Sequence, residues 1–494
     1  MRLHLPRRRI WRFSIYLVSL VLVLIAADLI LVQVRRNFSL GYDTTRIVGP
    51  VMPDGRIDYL SVLDAQAAEG VTYQNNAAVP FLEAVGRSGL SGTQPPDGIT
   101  DKLGMPHLPE HGDYLLRYED FIKQQGATSA GAYPADLPTT WPVTISPLAA
   151  QWVRANDHPL ELLVEASKRS RFFIPFDGGN RPKVIVSVLL PYVSLFQESG
   201  RLLLMRAMIR LNARDIAGFR EDLLATHRLA RLLGQSPTAV ERIQARESLE
   251  IPACQAGRVA AASGKLSADQ ARSLAADLAG LGDLPPMSDM IDGERFLVLD
   301  VLQALATSPP DRGAELYNGI MGSDALGPPN FWFRFAPLPY EAAMRRMNHC
   351  YDGALAATQL PNYPRRIAAM NLWEEDNAKS SSGLFVFNVL SPGFPIRQLL
   401  LSVVRMEQRE ETSRTQMRLT RIALALAAYK ADHRGYPHSL DELSPAYLPK
   451  IPNDPFSEKP LVYAATSDGY ALYSAGPNMT DDGGTRDDIK ANVP

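Results

Sequence analysis

Residues 13–34 form an almost unbroken run of Ile, Leu, Val, Ala and Phe. As a helix rising about 1.5 Å per residue, such a run crosses a hydrocarbon core of roughly 30 Å, so the pattern predicts one transmembrane helix. Arg2, Arg7, Arg8, Arg9 and Arg12 precede it and only Arg35 and Arg36 follow closely. That bias keeps residues 1–12 as a basic cytoplasmic tail and places the rest of the chain outside an inner membrane. Signal peptides have shorter apolar cores, about 7–15 residues, that end at a small-x-small site. Here Leu29 to Val34 continue past the one candidate site, Ile25-Ala26-Ala27, and the run reads as an uncleaved anchor in the lipid bilayer. Asp28, the one charge inside it, lies near the outer end and can reach the interface.

Beyond the anchor the pattern changes several times. From 35 to 146 Gly, Pro, Asp and Thr are frequent and helical periodicity is short, so the segment reads as loop-rich, with one capped helix over 75–85. From 147 to 305 apolar positions take helical spacing, as in Leu202, Met205, Met208 and Leu211, or Phe219, Leu223, Leu229 and Leu233. Breaks at 212–215, 235–237 and 280–286 predict antiparallel helical neighbours. Residues 201–237 resemble one tetratricopeptide-type hairpin, without a second copy at the period of about 34 residues. Residues 306–345 predict a long loop whose Phe331, Trp332, Phe333 and Phe335 cover a groove or, the favoured reading, plug the helical core. A helical segment spans 346–434, and its longest helix candidate runs from 395 to 433, apolar at both ends and strongly charged from Glu407 to Arg421. The apolar stretches 184–196 and 384–404 are short or broken by Pro191, Pro392, Pro395 and Arg397, and read as buried core. In the last segment, 435–494, short strand patterns at 461–463 and 470–473 flank the turn Ser467-Asp468-Gly469. The expected class is mainly α: a transmembrane helix, a helical-hairpin external domain and a small α+β domain with an antiparallel sheet.

Composition narrows the chemistry. At 494 residues the chain exceeds one core, and two or three domains outside the membrane are expected. A net charge of −2 gives no sign of a nucleic-acid or polyanion partner, and none is expected. Cys254 and Cys350 are the only cysteines, and either a disulfide or two buried thiols suits them. His107-Leu108-Pro109-Glu110-His111 spells a zinc-peptidase signature, but Pro109 and Gly112 argue against the helix that signature needs. Residues 228–243 resemble a DNA-binding helix-turn-helix; the external location and neutral charge favour an ordinary helical hairpin. The chain has no phosphate loop, nucleophile elbow or C-x-x-C pair.

Near the C terminus a series of motifs occurs in order: residues 427–437 (Ala-Ala-Tyr-Lys-Ala-Asp-His-Arg-Gly-Tyr-Pro), 448–456 (Leu-Pro-Lys-Ile-Pro-Asn-Asp-Pro-Phe), 473–478 (Tyr-Ser-Ala-Gly-Pro-Asn) and 487–489 (Asp-Asp-Ile). Over residues 412–489 this resembles the major pseudopilin of type II secretion systems. The resemblance implies a helix followed by a small antiparallel sheet, and a calcium-binding loop after the sheet. That loop corresponds to 480–488, with Asp481, Asp482, Asp487 and Asp488 as carboxylate ligands and Asp481 and Asp488 foremost. Read without the resemblance, the loop is a solvated acidic turn. The span lacks the prepilin Gly-Phe junction and its glutamate, and lies far from the matching stretch, so the likeness reads as a reused domain. The expected function is an envelope scaffold acting through other envelope proteins. The alternatives are an envelope hydrolase with a site under the 309–339 loop, or a secretion- or pilus-associated component.

Overall fold

The computed structural model describes residues 37–90, 96–126, 145–176, 184–187, 190–309, 340–380, 403–466 and 469–491, with isolated positions at 19, 23, 312, 315 and 316. Apart from those positions, the apolar run 13–34, the aromatic stretch 310–339 and residues 384–402 lie outside the described residues. Among the described residues no helix is long and apolar enough to cross a membrane.

The segment expected to be loop-rich carries α1 (Tyr59–Ala67), then α2 (Ala78–Val85), which is the capped helix expected over 75–85, and α3 (Pro96–Leu103) and α4 (Tyr118–Gln124). α1, α3 and α4 are only about two turns long, too short for a 3.6-residue period to stand out. The helix ends are set locally. Asp58 caps α1 by accepting the Ser61 amide at 3.0 Å, and the Asn76 side chain accepts the Ala78 amide at the start of α2 at 3.0 Å. Seven of the eight α2 residues are buried, which makes it a core element. Phe81 stacks on Phe196 with ring centroids 4.2 Å apart. The Trp152 indole donates to the Leu116 carbonyl at 2.7 Å. Described residues from Ala77 to Ile122 thus share one apolar core with α5 (Pro147–Arg154), α6 (Asp157–Ser167) and α7 (Pro191–Asn212), while Ile57, Tyr59, Leu60 and Leu63 enter another with residues 291–306 and 340–351.

Pro191, which interrupts the apolar pattern in the sequence, is the first residue of α7, where its missing amide costs nothing. α8 (Ile216–Leu233) follows after a tight turn, capped by Asp215 on the Gly218 amide at 2.9 Å. The two helices run antiparallel, locked by Asp222, which takes Arg206 at 2.7 Å and Arg210 at 2.9 Å. α9 (Ala239–Gln244), a π-helical turn (Ala245–Glu250) and α10 (Ile251–Ala262) form the next continuous run. α11 (Ala268–Gly280) starts at a capping box, Ser267 with Gln270. α12 (Ile291–Thr307) precedes α13 (Tyr340–Thr358), which begins inside the stretch expected as loop, and then α14 (Tyr363–Ser380).

α15 (Val403–His433), 31 residues long, organises the second half. Ala423, Leu424 and Ala428 enter one core with α8, α10 and α11. Leu419, Ile422 and Leu426 enter another with the C-terminal sheet. Each of these leucines is fully buried, and truncating one to alanine costs about 2–5 kcal/mol. α15 is thus buried on both faces, between the helical core and the core under the C-terminal sheet. The sheet is antiparallel, ordered β1 (Val462–Ala465), β2 (Tyr470–Ser474) and β3 (Ile489–Lys490), with Tyr463 opposite Leu472 and Ser474 opposite Ile489. Buried Asp454 ties the preceding loop to it by accepting the Ser474 hydroxyl at 2.8 Å and the Ala475 amide at 2.9 Å.

Candidate functional site

The charged middle of α15 is buried. Glu407, Glu410 and Glu411 lie on one face at three- and four-residue spacing, and an arginine of α14 and another of α15 itself neutralise them. Arg366 of α14 donates to Glu407 at 2.6 Å and to Glu411 at 2.7 Å. Arg414 reaches Glu410 at 2.6 Å and Glu411 at 2.8 Å. Glu410 also accepts the Met287 amide at 2.6 Å. Burial outweighs the Arg366 contact at Glu407, whose carboxyl lies above its ordinary range.

Beside this network, α12, α13, α14, α15 and the turn 286–290 enclose a cavity of about 210 Å³. Met287, Met290, Met370 and Met406 supply much of its apolar wall, while Glu294, Tyr351, Glu407 and Glu410 supply polar lining. Glu294 is placed by a close approach: a Cβ on Gly293 would collide with the Pro237 carbonyl, so only glycine lets α12 reach that turn. There the Glu294 carboxylate accepts the Ala239 amide at 2.8 Å. Burial, reinforced by the charge of Glu241, pushes the Glu294 carboxyl up to about 7. The Tyr351 hydroxyl is buried without a hydrogen-bond partner among the described residues.

A second cluster lies at the end of the π-helical turn, a feature often found where a helix serves function. The His227 Nδ1 is 2.8 Å from Glu250, and Arg231 donates to the same carboxylate at 3.0 Å. Ligand atoms of His227, Glu250 and Cys254 lie within 4.8 Å of one another, the one such trio among the described residues. Burial alone would raise Glu250, but His227 and Arg231 outweigh it and hold the carboxyl at about 2. Burial, with the Glu250 charge, pushes the Cys254 thiol up to about 12. A thiol that stays protonated next to a carboxylate already satisfied by the Arg231 guanidinium and the His227 imidazole is a poor metal donor set and a poor nucleophile. The neighbouring void, about 10 Å³, admits no substrate. The trio is an internal ion pair with a neutral thiol beside it.

The four acidic residues expected to hold calcium are drawn together by main-chain donors and Asn478. Asp488 Oδ2 accepts the Asp482 amide at 3.0 Å and the Gly484 amide at 2.7 Å. Asp487 accepts the Asn478 amide at 2.8 Å and its side-chain amide at 2.6 Å. Asp482 accepts that same side-chain amide at 2.9 Å, and Asp481 accepts the Tyr473 hydroxyl at 3.0 Å. Asp488 Oδ1 is buried with no hydrogen-bond partner among the described residues, an orphaned anionic oxygen of the kind a hard cation satisfies. Asp488 Oδ1 is thus one ligand oxygen on offer, but no three of these carboxylates bring their oxygens within 4.8 Å of one another, so a cation here would take its remaining ligands from backbone carbonyls or water.

Other expected positions stay apart. His107 sits on a non-helical segment, 2.8 Å from Asp101 and away from any metal trio, as Pro109 implies. Residues 228–243 span the end of α8, a turn and α9, a helical hairpin. Cys254 and Cys350 form no disulfide with each other, and both are buried thiols. Glu294, Tyr351 and Arg366 have no motif around them in the sequence; the spacing of Glu407, Glu410, Glu411 and Arg414 is the one local sign of a shared charged face. Compared with protein-family models, curated proteins and solved structures, the chain matches none.

Proposed function

We propose that this chain is a single-pass bacterial envelope protein, anchored by residues 13–34 with its N terminus in the cytoplasm, whose external body works as an interaction scaffold. One observation carries the reading: residues 13–34 are an almost unbroken apolar run with five arginines ahead of it, while the long helices α7 and α15 are occupied inside the protein's own cores. Action through contact is supported by the chemistry of the interior. His227, Glu250 and Cys254 form a nucleophile–base–acid set in composition, yet all three are buried and the thiol is held protonated. The loop 480–488 serves in this reading as a calcium-stabilised corner of the C-terminal sheet, with the buried Asp488 Oδ1 as its first ligand.

Alkaline phosphatase fused after residue 494 tests the topology, since it is active only outside the cytoplasm. Activity in membrane fractions that is lost when residues 1–36 are deleted supports the reading. Activity confined to a cytoplasmic reporter overturns it. For the scaffold role, a photo-crosslinking residue placed at exposed Leu372 or Val240 gives a discrete adduct in intact cells. Turnover of ester, amide or glycoside substrates that is lost in Cys254→Ala would replace the scaffold by a hydrolase.

A further inference from the structure

We propose that the cavity between α12, α13, α14 and α15 binds a small organic cation, an ammonium or amidinium head carried on an apolar body. Size sets the first limit. At about 210 Å³ the space is larger than the roughly 150 Å³ apolar cavity that takes up benzene, so it suits a single ring or short chain and not a peptide or nucleotide. Composition sets the second: four methionine side chains give a polarisable wall that adapts its shape to an apolar body.

Charge decides the head group. Arg366 and Arg414, the two arginines of the lining, each already bridge two carboxylates, so an anionic ligand meets no free guanidinium. Glu294 is the opposite case. Among the described residues its hydrogen bond is to the Ala239 amide and no cation is in contact with it. A carboxylate desolvated without a counter-charge is stabilised by a bound cation. Tyr351, also in the lining, offers a hydroxyl without a partner to an N–H donor. A bare metal ion fits less well, because no three carboxylates of the cavity bring their oxygens within 4.8 Å of one another.

The test titrates the full-length protein in detergent calorimetrically at about pH 8, where Glu294 is ionised, with benzylamine and benzamidine. Benzyl alcohol and benzoate serve as neutral and anionic counterparts of the same body. The expected result is one site for each cation with a Kd below about 1 mM, at least about tenfold tighter than the alcohol, and no benzoate binding. Glu294→Gln weakens both cations about tenfold and leaves the alcohol unchanged. Met370→Phe, which narrows the cavity, weakens all three. Equal affinity for amine and alcohol, cation binding unchanged in Glu294→Gln, or no binding of either cation overturns the proposal. Where a variant does not fold, the ranking of amine over alcohol on the native protein decides. The outcome is independent of the anchor and of the scaffold role.

Discussion

Arg366 of α14 holds Glu407 of α15 at 2.6 Å, and the other arm of the same guanidinium holds Glu411 at 2.7 Å. The arginine is mostly buried and both carboxylates are buried, so the contact stands in for water that none of the three groups can reach. Removing the cation leaves Glu407 without a counter-charge. Arg366→Met is therefore expected to cost about 3–5 kcal/mol, read as a lower guanidinium midpoint at unchanged slope. In a Glu407→Gln background the same change costs less, because part of the coupling has already gone. Equal losses in both backgrounds would sink this account.

Glu294 makes stability fall as pH rises through neutrality. Its carboxyl goes from an ordinary 4.5 to about 7 on folding, so between those values the folded chain binds more protons than the unfolded one. The climb corresponds to about 3 kcal/mol, reduced to about 2 because the cavity side of the group is partly open. The groups facing it, the Ala239 amide, Glu241 and Tyr351, include no cation that would reverse the sign. Glu294→Gln should therefore gain stability at pH 8 relative to the parent and lose most of that advantage at pH 5. A difference that does not change with pH would remove Glu294 as the cause.

How much of this was legible in the sequence depends on the length of the signal. The long periodic helices α7, α8 and α15 were, and so was the hairpin of β1 and β2, because each repeats its pattern over several turns or residues. α1, α3 and α4 were not, since two turns hold too few apolar positions to separate a helix from a loop. The charge of residues 407–421 was plain, but its burial was not: a Glu–Arg run reads as a solvated face until α14 and the turn at 286–290 are known to cover it. Glu294 was illegible for a different reason. Its environment is assembled by Gly293, Pro237 and Ala239, which lie about 55 residues from it or carry no polar side chain.

Glu250 acts at the acid end of the pH range. Its carboxyl is held at about 2, below the ordinary 4.5, so its contribution is complete above about pH 4.5 and is lost as pH falls toward 2. Glu250→Gln should be destabilising near pH 7 and much less so near pH 3, as read by chemical denaturation. The same cluster predicts thiol chemistry. Cys254 and Cys350 are buried with raised thiols, so a maleimide at pH 7 should label neither in the native protein and both in guanidinium, as counted by mass. Rapid native labelling at Cys254 would mean that the core around α10 opens.

Calcium should raise the thermal midpoint of the full-length protein in detergent, and magnesium at the same concentration should not, because calcium accepts irregular oxygen coordination whereas magnesium demands a near-ideal octahedron. At a hundredfold excess over Kd the gain is about 2.7 kcal/mol. Asp488→Asn separates ligand from framework. The substituted side chain keeps an oxygen that can accept the Asp482 and Gly484 amides, so the loop retains its internal bonds, while the charge and the orphaned Oδ1 are lost. The calcium gain should then vanish with only a small change in the midpoint without calcium. A gain that survives Asp488→Asn places the ion elsewhere, and no gain at millimolar calcium leaves 480–488 as a solvated acidic turn whose buried oxygen is a cost of the loop.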